Sequence, residues 1–222
     1  TQRKIPKVKN DISYIQVKNI RKTISVIAKV FFNDPSKKIK VIGVTGTNGK
    51  SSVVNFLYQI FNSAKIKTGI ISTIDNKIDK KQFESTHTTP DPIKINFLLN
   101  KMISEKCEYC FMEVSSHAIS QFRVNDINFV MGIFTNITHE HIDYHKSFEN
   151  YFKAKKYFFD SLNSKSQIIT NVDDFKGLEI CSNSRAELVT YSVHKKSDFN
   201  CEIINNTLSG MRLNFDDNKV QT

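Results

Sequence analysis

The sequence lacks several things, and each absence narrows its class. No apolar run approaches the roughly 20 residues that a membrane-spanning helix needs, and no signal peptide is visible. The expectation is a cytoplasmic protein with no membrane partner. Arginine is scarce: the chain carries a net charge of +10, yet only 5 of its 32 basic residues are Arg. The lysines are dispersed along the chain, as on a solvated surface, so no nucleic-acid partner is expected. Of the four cysteines, Cys107 and Cys110 form a Cys-x-x-Cys pair without the second pair that a zinc site usually needs. Together with Cys181 and Cys201 they read as reduced thiols of a cytosolic protein. There is no internal repeat and no low-complexity tract.

What is present suits one domain, with a piece of a second: 222 residues, 39% hydrophobic, with 17 Phe to fill a core. The chain begins at Thr1 and ends on a polar stretch, and reads as a piece of something longer. Residues 1–37 form a basic lead-in, with a short amphipathic helix suggested by Ile24, Ile27, Ala28, Phe31 and Phe32 and closed by Asn33-Asp34-Pro35. From residue 38 onward strands and helices alternate. Strands are expected at 41–45, 67–73, 109–114, 129–135 and 167–171, and helices at 50–64, after Thr89-Pro90-Asp91-Pro92, and at 147–162. Residues 75–87 read as a polar connection. The fold class is α/β, a mostly parallel sheet flanked by helices. Beyond residue 186 short strands follow without helices, as a small antiparallel extension.

The most informative stretch is Val41 to Ser52. A β-branched strand turns through Gly46, Thr47, Asn48 and Gly49 into Lys50-Ser51-Ser52, and a helical pattern follows at once: Val53, Phe56, Leu57, Ile60, Phe61 and Ala64. This is the layout of a phosphate-binding loop, in which backbone N–H groups and a helix N-terminus converge on phosphate oxygens. Lys50 would reach the terminal phosphates and Ser51 would hold Mg²⁺. Val44 stands where the common pattern has its first glycine, which argues against an ordinary GTPase or kinase.

In such sheets ligands sit at the carboxyl ends of the strands. Two further strand ends carry polar groups: Glu113-Val114-Ser115-Ser116-His117, and Thr135-Asn136 followed by His139, His141, Asp143 and His145. A carboxylate at the end of a buried strand needs a cation, and Mg²⁺ beside a triphosphate supplies one; the alternative is a core ion pair with a lysine. The three histidines admit a zinc reading or, for one of them, a place on the Mg²⁺–phosphate cluster. Lys155 falls on the inward stripe formed by Phe148, Tyr151, Phe152, Phe158, Phe159 and Leu162. A buried amine has a lowered pKa, is partly neutral, and can add CO₂ to become a carbamate; the alternative is a lysine that snorkels to water.

Taken together these segments, with Thr88-Thr89-Pro90 and Gln121-Phe122-Arg123-Val124, resemble the Mur ligase family in order and spacing over about residues 36–175. Among its members the likeness is to those that add the third residue of the peptidoglycan stem peptide. The resemblance implies ATP at Gly46, Thr47, Asn48, Gly49, Lys50, Ser51 and Ser52. It implies Mg²⁺ held by Ser51, Glu113, His141 and a carbamylated Lys155, with Lys50, Glu113, His141 and Lys155 serving catalysis. His87, Thr88, Thr89, Ser115, Gln121 and Arg123 would bind UDP-N-acetylmuramoyl dipeptide, and the amine would come from meso-diaminopimelate or lysine. Two positions depart from the family pattern: His87 stands where Asn is common, and His139-Glu140 where an Arg-Asp pair is more usual.

The resemblance further implies that residues 1–37 are the tail of a UDP-binding domain or a linker. Residues 38–222 would be the central ATP-binding domain, and a C-terminal domain would be missing, leaving this piece alone poorly active. The rivals are a folylpolyglutamate synthase-like amide ligase, a non-catalytic nucleotide-binding module, and a zinc protein built on His139, His141 and His145.

Overall fold

A computed structural model describes residues 11, 14–207, 210–215 and 218–221; the first part of the basic lead-in lies outside them. The described chain opens with α1 (Ile20–Phe31), capped by the Asn19 side chain, which accepts from the Lys22 N–H at 3.0 Å. Ser25 and Ala28 of α1 are buried, whereas Ile24, Ile27 and Phe31 are exposed, so the apolar stripe seen in the sequence is only partly covered.

A single sheet forms the body. β1 (Lys40–Thr45) lies at its centre, between β5 (Tyr109–Glu113) and β6 (Phe129–Phe134), parallel to both. Outward on one side come β2 (Thr68–Ile71), β3 (Asp75–Ile78) and β4 (Lys81–Glu84). On the other side come β7 (Gln167–Asn171), β8 (Glu187–Ser192), β9 (Phe199–Thr207), β10 (Gly210–Phe215) and β11 (Asn218–Gln221). The centre is parallel, as alternation with helices requires.

Two expectations need correction. The polar connection of residues 75–87 contains an antiparallel hairpin, β3–β4, that extends the sheet edge. Its polar strands hid the alternation: Asp75 and Asn76 are buried, and Asp75 pairs with Lys77 at 3.3 Å. The extension beyond residue 186 is not wholly antiparallel, because β8 runs parallel to both β7 and β9, and the antiparallel pairing begins with β9 and β10.

Period-two alternation along the central strands sorts side chains onto two faces. Ile42, Val44, Phe111 and Ile133 face α2 (Lys50–Ser63), through Val53, Val54, Leu57 and Phe61. Phe56 and Ile60 of α2, read in the sequence as part of its inward pattern, are 61% and 63% exposed. The opposite face packs Val41, Cys110, Met112 and Phe134 against α3 (Pro92–Ser104) and α6 (Phe148–Asp160). α3 buries Ile95, Leu98, Leu99 and Met102 and is capped by Asp91. Two short helices, α4 (Ser116–Ser120) and α5 (Ile142–His145), follow β5 and β6 and carry polar groups over the strand ends. No described helix is long and apolar enough to cross a membrane.

Candidate functional site

β6, β1 and β5 are neighbours, so the three polar strand ends come together. The loop after β1 is shaped by two glycines. Gly49 is the N-cap of α2 at φ +83°, a conformation that a side chain resists. A Cβ at Gly46 would fall on the Thr135 hydroxyl, so the loop passes against β6 with no room for one.

The end of β6 holds this loop from outside. Thr47 N–H donates to the Asn136 carbonyl at 2.8 Å, Asn48 N–H to Asn136 Oδ1 at 3.0 Å, and Thr135 Oγ1 to the Asn48 carbonyl at 2.7 Å. Thr47 Oγ1 accepts from Thr138 N–H at 2.9 Å and lies 3.0 Å from Tyr151 Oη. Thr47 therefore serves the loop's own structure, while Asn48 and Ser52 are exposed and Lys50 and Ser51 half-buried.

Glu113 is 1% exposed at the end of β5. It accepts from Ser51 Oγ at 2.8 Å and Thr73 N–H at 2.9 Å on one oxygen, and from Thr73 Oγ1 at 3.2 Å on the other. Among the described residues it has no ion-pair partner, so the core lysine pairing is absent. A buried carboxylate held only by neutral donors, with a serine hydroxyl beside it, is a hard-oxygen set suited to Mg²⁺.

Lys155 is 1% exposed and does not snorkel. Its Nζ donates to the Gly46 carbonyl at 2.7 Å and lies 4.8 Å from the centre of the Tyr151 ring. Burial holds its pKa well below the ordinary lysine range, and the positive charge of Lys50 pushes it the same way. Lys50 donates to the Gly46 and Thr47 carbonyls at 3.0 and 2.7 Å, and burial lowers its pKa too.

A cavity of about 270 Å³ opens beside Lys50, Lys155 and Gly46. Lys50 and Lys155 line it on one side, and His87, Thr88, Thr89, Ser115, Arg123 and His141 on the others. No acidic side chain is among its lining residues, so its electrostatics favour an anion. Thr89 Oγ1 donates to the Glu113 carbonyl at 2.7 Å and accepts from Ser115 N–H at 3.0 Å, which fixes that wall to β5. The Arg123 guanidinium donates to the Thr89 carbonyl at 2.7 Å and to Gln121 Oε1 at 3.1 and 2.7 Å. Gln121 itself lines a neighbouring cavity.

His139 stands apart, whereas His141 and His145 both flank His117. His139 packs on Phe148, with ring centres 4.6 Å apart. His141 sits at the cavity wall with φ +56°, in the left-handed region that non-glycine residues seldom adopt, and its ring centre is 5.0 Å from that of His117. His145 is buried at the end of α5, 3.0 Å from Ser116 Oγ. Burial, first, and neighbouring positive groups lower the pKa of both His117 and His145. Among the described residues no three His, Cys, Asp or Glu side chains could share a metal ion. Sequence reasoning gave no role to Thr73, Asn136 or Tyr151. Asn136 was marked only as a polar strand end, and Tyr151 only as a hydroxyl on the buried stripe of α6; Thr73 carried no signal.

Fold and site together define a phosphate-loop α/β protein with a basic cavity at the loop. The Mur ligase middle domain model matches residues 44–222. The chain belongs to the Mur ligase family. It is 46% identical over 206 residues to the UDP-N-acetylmuramoyl-L-alanyl-D-glutamate–2,6-diaminopimelate ligase of Cytophaga hutchinsonii, covering 93% of this chain and 42% of that protein. A solved structure of a ligase of the same name superimposes with a TM-score of 0.77 at 21% identity, covering 91% of this chain and 43% of that one. The folylpolyglutamate synthase of Mycobacterium tuberculosis, solved with ADP, shares the fold at a TM-score of 0.68 and 14% identity, covering 86% and 50%. The chain spans less than half the length of the curated relatives it matches.

Proposed function

We propose that this chain is the central, ATP-binding part of a ligase that adds the third amino acid to UDP-N-acetylmuramoyl-L-alanyl-D-glutamate. Residues 38–222 would form that domain, with residues 1–37 leading in from a UDP-binding one. The observation that carries the reading is the cavity itself. It joins a phosphate loop, two amines, Arg123 and the Thr88-Thr89 wall, and has no acidic lining. The names of relatives above 40% identity support the substrate and favour 2,6-diaminopimelate over lysine as the amine.

Magnesium, held by Ser51, Glu113, His141 and a carbamate on Lys155, would offset phosphate charge during transfer. The Lys155 carbamate would form when its neutral amine adds CO₂ and releases a proton. Lys50 would leave the Gly46 and Thr47 carbonyls and turn to the terminal phosphate, stabilising charge as it moves. Arg123, already oriented by Gln121 and Thr89, would fix an anionic group of the dipeptide. The substrate carboxylate, otherwise a poor electrophile, would take the γ-phosphoryl group to give an acyl phosphate and ADP. The amine would then attack the acyl carbon to form the C–N bond and give up a proton, while the C–O bond breaks and its electron pair leaves with phosphate.

The test is ADP release by the full-length protein, with ATP, diaminopimelate and either the UDP-muramoyl dipeptide or a folate acceptor. Turnover with the first only is expected; turnover with folate only would replace this reading with the folylpolyglutamate one.

A further inference from the structure

A second cavity, of about 360 Å³, lies beside the first and shares His87 and Arg123 with it. α1 builds its far wall through Arg21 and Ile24, and Pro92 and Ile93 of α3 contribute another. The phosphate loop, Lys50 and Lys155 line only the first cavity. The two thus form one run, with the lysines at one end, His87 and Arg123 in the middle and Arg21 at the other end.

The charges along this run are unequally engaged. Asp91, the one carboxylate lining the second cavity, caps α3, accepting from the N–H groups of Ile93 at 2.9 Å and Lys94 at 3.0 Å. Arg123 is tied to Gln121 and Thr89. The Arg21 guanidinium is exposed and, among the described residues, has neither an ion pair nor a side-chain hydrogen bond. A free planar fork of donors at the end of a basic run suits an oxyanion with two acceptor oxygens.

We propose that Arg21 is a substrate-binding residue that holds an anionic group far from the reacting carboxylate. The inference rests on the reading above, in which the reacting carboxylate lies near Lys50. The UDP-muramoyl dipeptide carries two other anionic groups, its diphosphate and the second carboxylate of its glutamate. Either presents the required chemistry, and α1, outside the phosphate-loop unit, thereby becomes part of the substrate site.

The test titrates UDP-N-acetylmuramoyl-L-alanyl-D-glutamate into the full-length protein and its Arg21→Ala, Arg21→Lys and Lys22→Ala variants. Arg21→Ala should bind the dipeptide about tenfold more weakly or worse, as expected for a lost charge-assisted hydrogen bond. Arg21→Lys should recover part of that loss. Lys22→Ala removes the same charge from the neighbouring exposed position and should bind as wild type, and MgATP affinity should be equal in all four. Repeating the titration with the muramoyl dipeptide lacking UDP identifies the group. A penalty that disappears assigns Arg21 to the diphosphate, and one that persists assigns it to the carboxylate. Wild-type affinity in Arg21→Ala, or an equal loss in Lys22→Ala, overturns the inference and leaves the function standing. Failure of the wild-type protein to bind the UDP-muramoyl dipeptide while it binds MgATP overturns both.

Discussion

Lys50 and Lys155 donate to one backbone oxygen, that of Gly46, at 3.0 and 2.7 Å. Two ammonium groups on one acceptor repel, and Lys155, the more buried, gives up its charge more readily. The phosphate loop and the inward stripe of α6 therefore meet at a single atom.

Lys155→Met should stabilise the protein at neutral pH in carbonate-free buffer. The Gly46 carbonyl keeps Lys50 as a donor, so it is not orphaned. The sign follows from the lowered pKa. Below 10.5 the unfolded chain holds a proton that the folded state resists, so stability rises with pH from the depressed value up to 10.5. Thermal melts should show a higher midpoint for the variant at pH 7, about 2–4 °C for each kcal/mol relieved, with the advantage shrinking toward pH 10. Ligase turnover should fall at least about a hundredfold if the carbamate supports the metal. A lower midpoint at pH 7 would contradict the buried-amine argument.

Glu113→Gln keeps the shape of the carboxylate and one acceptor oxygen for Ser51 Oγ and the Thr73 N–H, but removes its charge. Calorimetric titration should show MgATP affinity reduced by about tenfold to a hundredfold, with metal-free ATP nearly unaffected. An equal loss for both would mean that Glu113 only shapes the fold.

Tyr151→Phe removes the hydroxyl 3.0 Å from Thr47 Oγ1 while leaving the ring near Lys155. The expected cost is about 1 kcal/mol in denaturant unfolding, with a several-fold rise in the KM for ATP and little change in kcat. A change confined to kcat would give Tyr151 a different role.

Cys110 and Cys181 should resist alkylation in the folded protein at pH 8. Burial raises both thiol pKa values, that of Cys181 to about 11, so little thiolate exists to react. Mass spectrometry should find both unlabelled until denaturant is added; rapid labelling of the native protein would contradict the packing.

Much of this was legible in the sequence for particular reasons. The β-branched run before Gly46 and the Lys-Ser after it mark the loop. Lys155 betrays itself as one cation in an aromatic stripe, and Glu113 as one carboxylate ending an apolar strand. The hairpin of β3 and β4 was not legible, because buried Asp75 and Asn76 break the apolar alternation that marks a strand. α4 and α5, five and four residues long, are too short to show a helical period. Thr73 meets Glu113 across 40 positions, and Arg21 reaches its cavity from a helix outside the alternating units. Such contacts arise from strand order, which local pattern does not encode.

The most direct test is anomalous diffraction from crystals grown with Mn²⁺ and a non-hydrolysable ATP analogue. A metal peak is expected within coordination distance of Ser51 Oγ and the Glu113 carboxylate, with Lys50 turned from Gly46 toward the terminal phosphate. Nucleotide bound elsewhere, or a metal peak remote from Glu113, would contradict this reading.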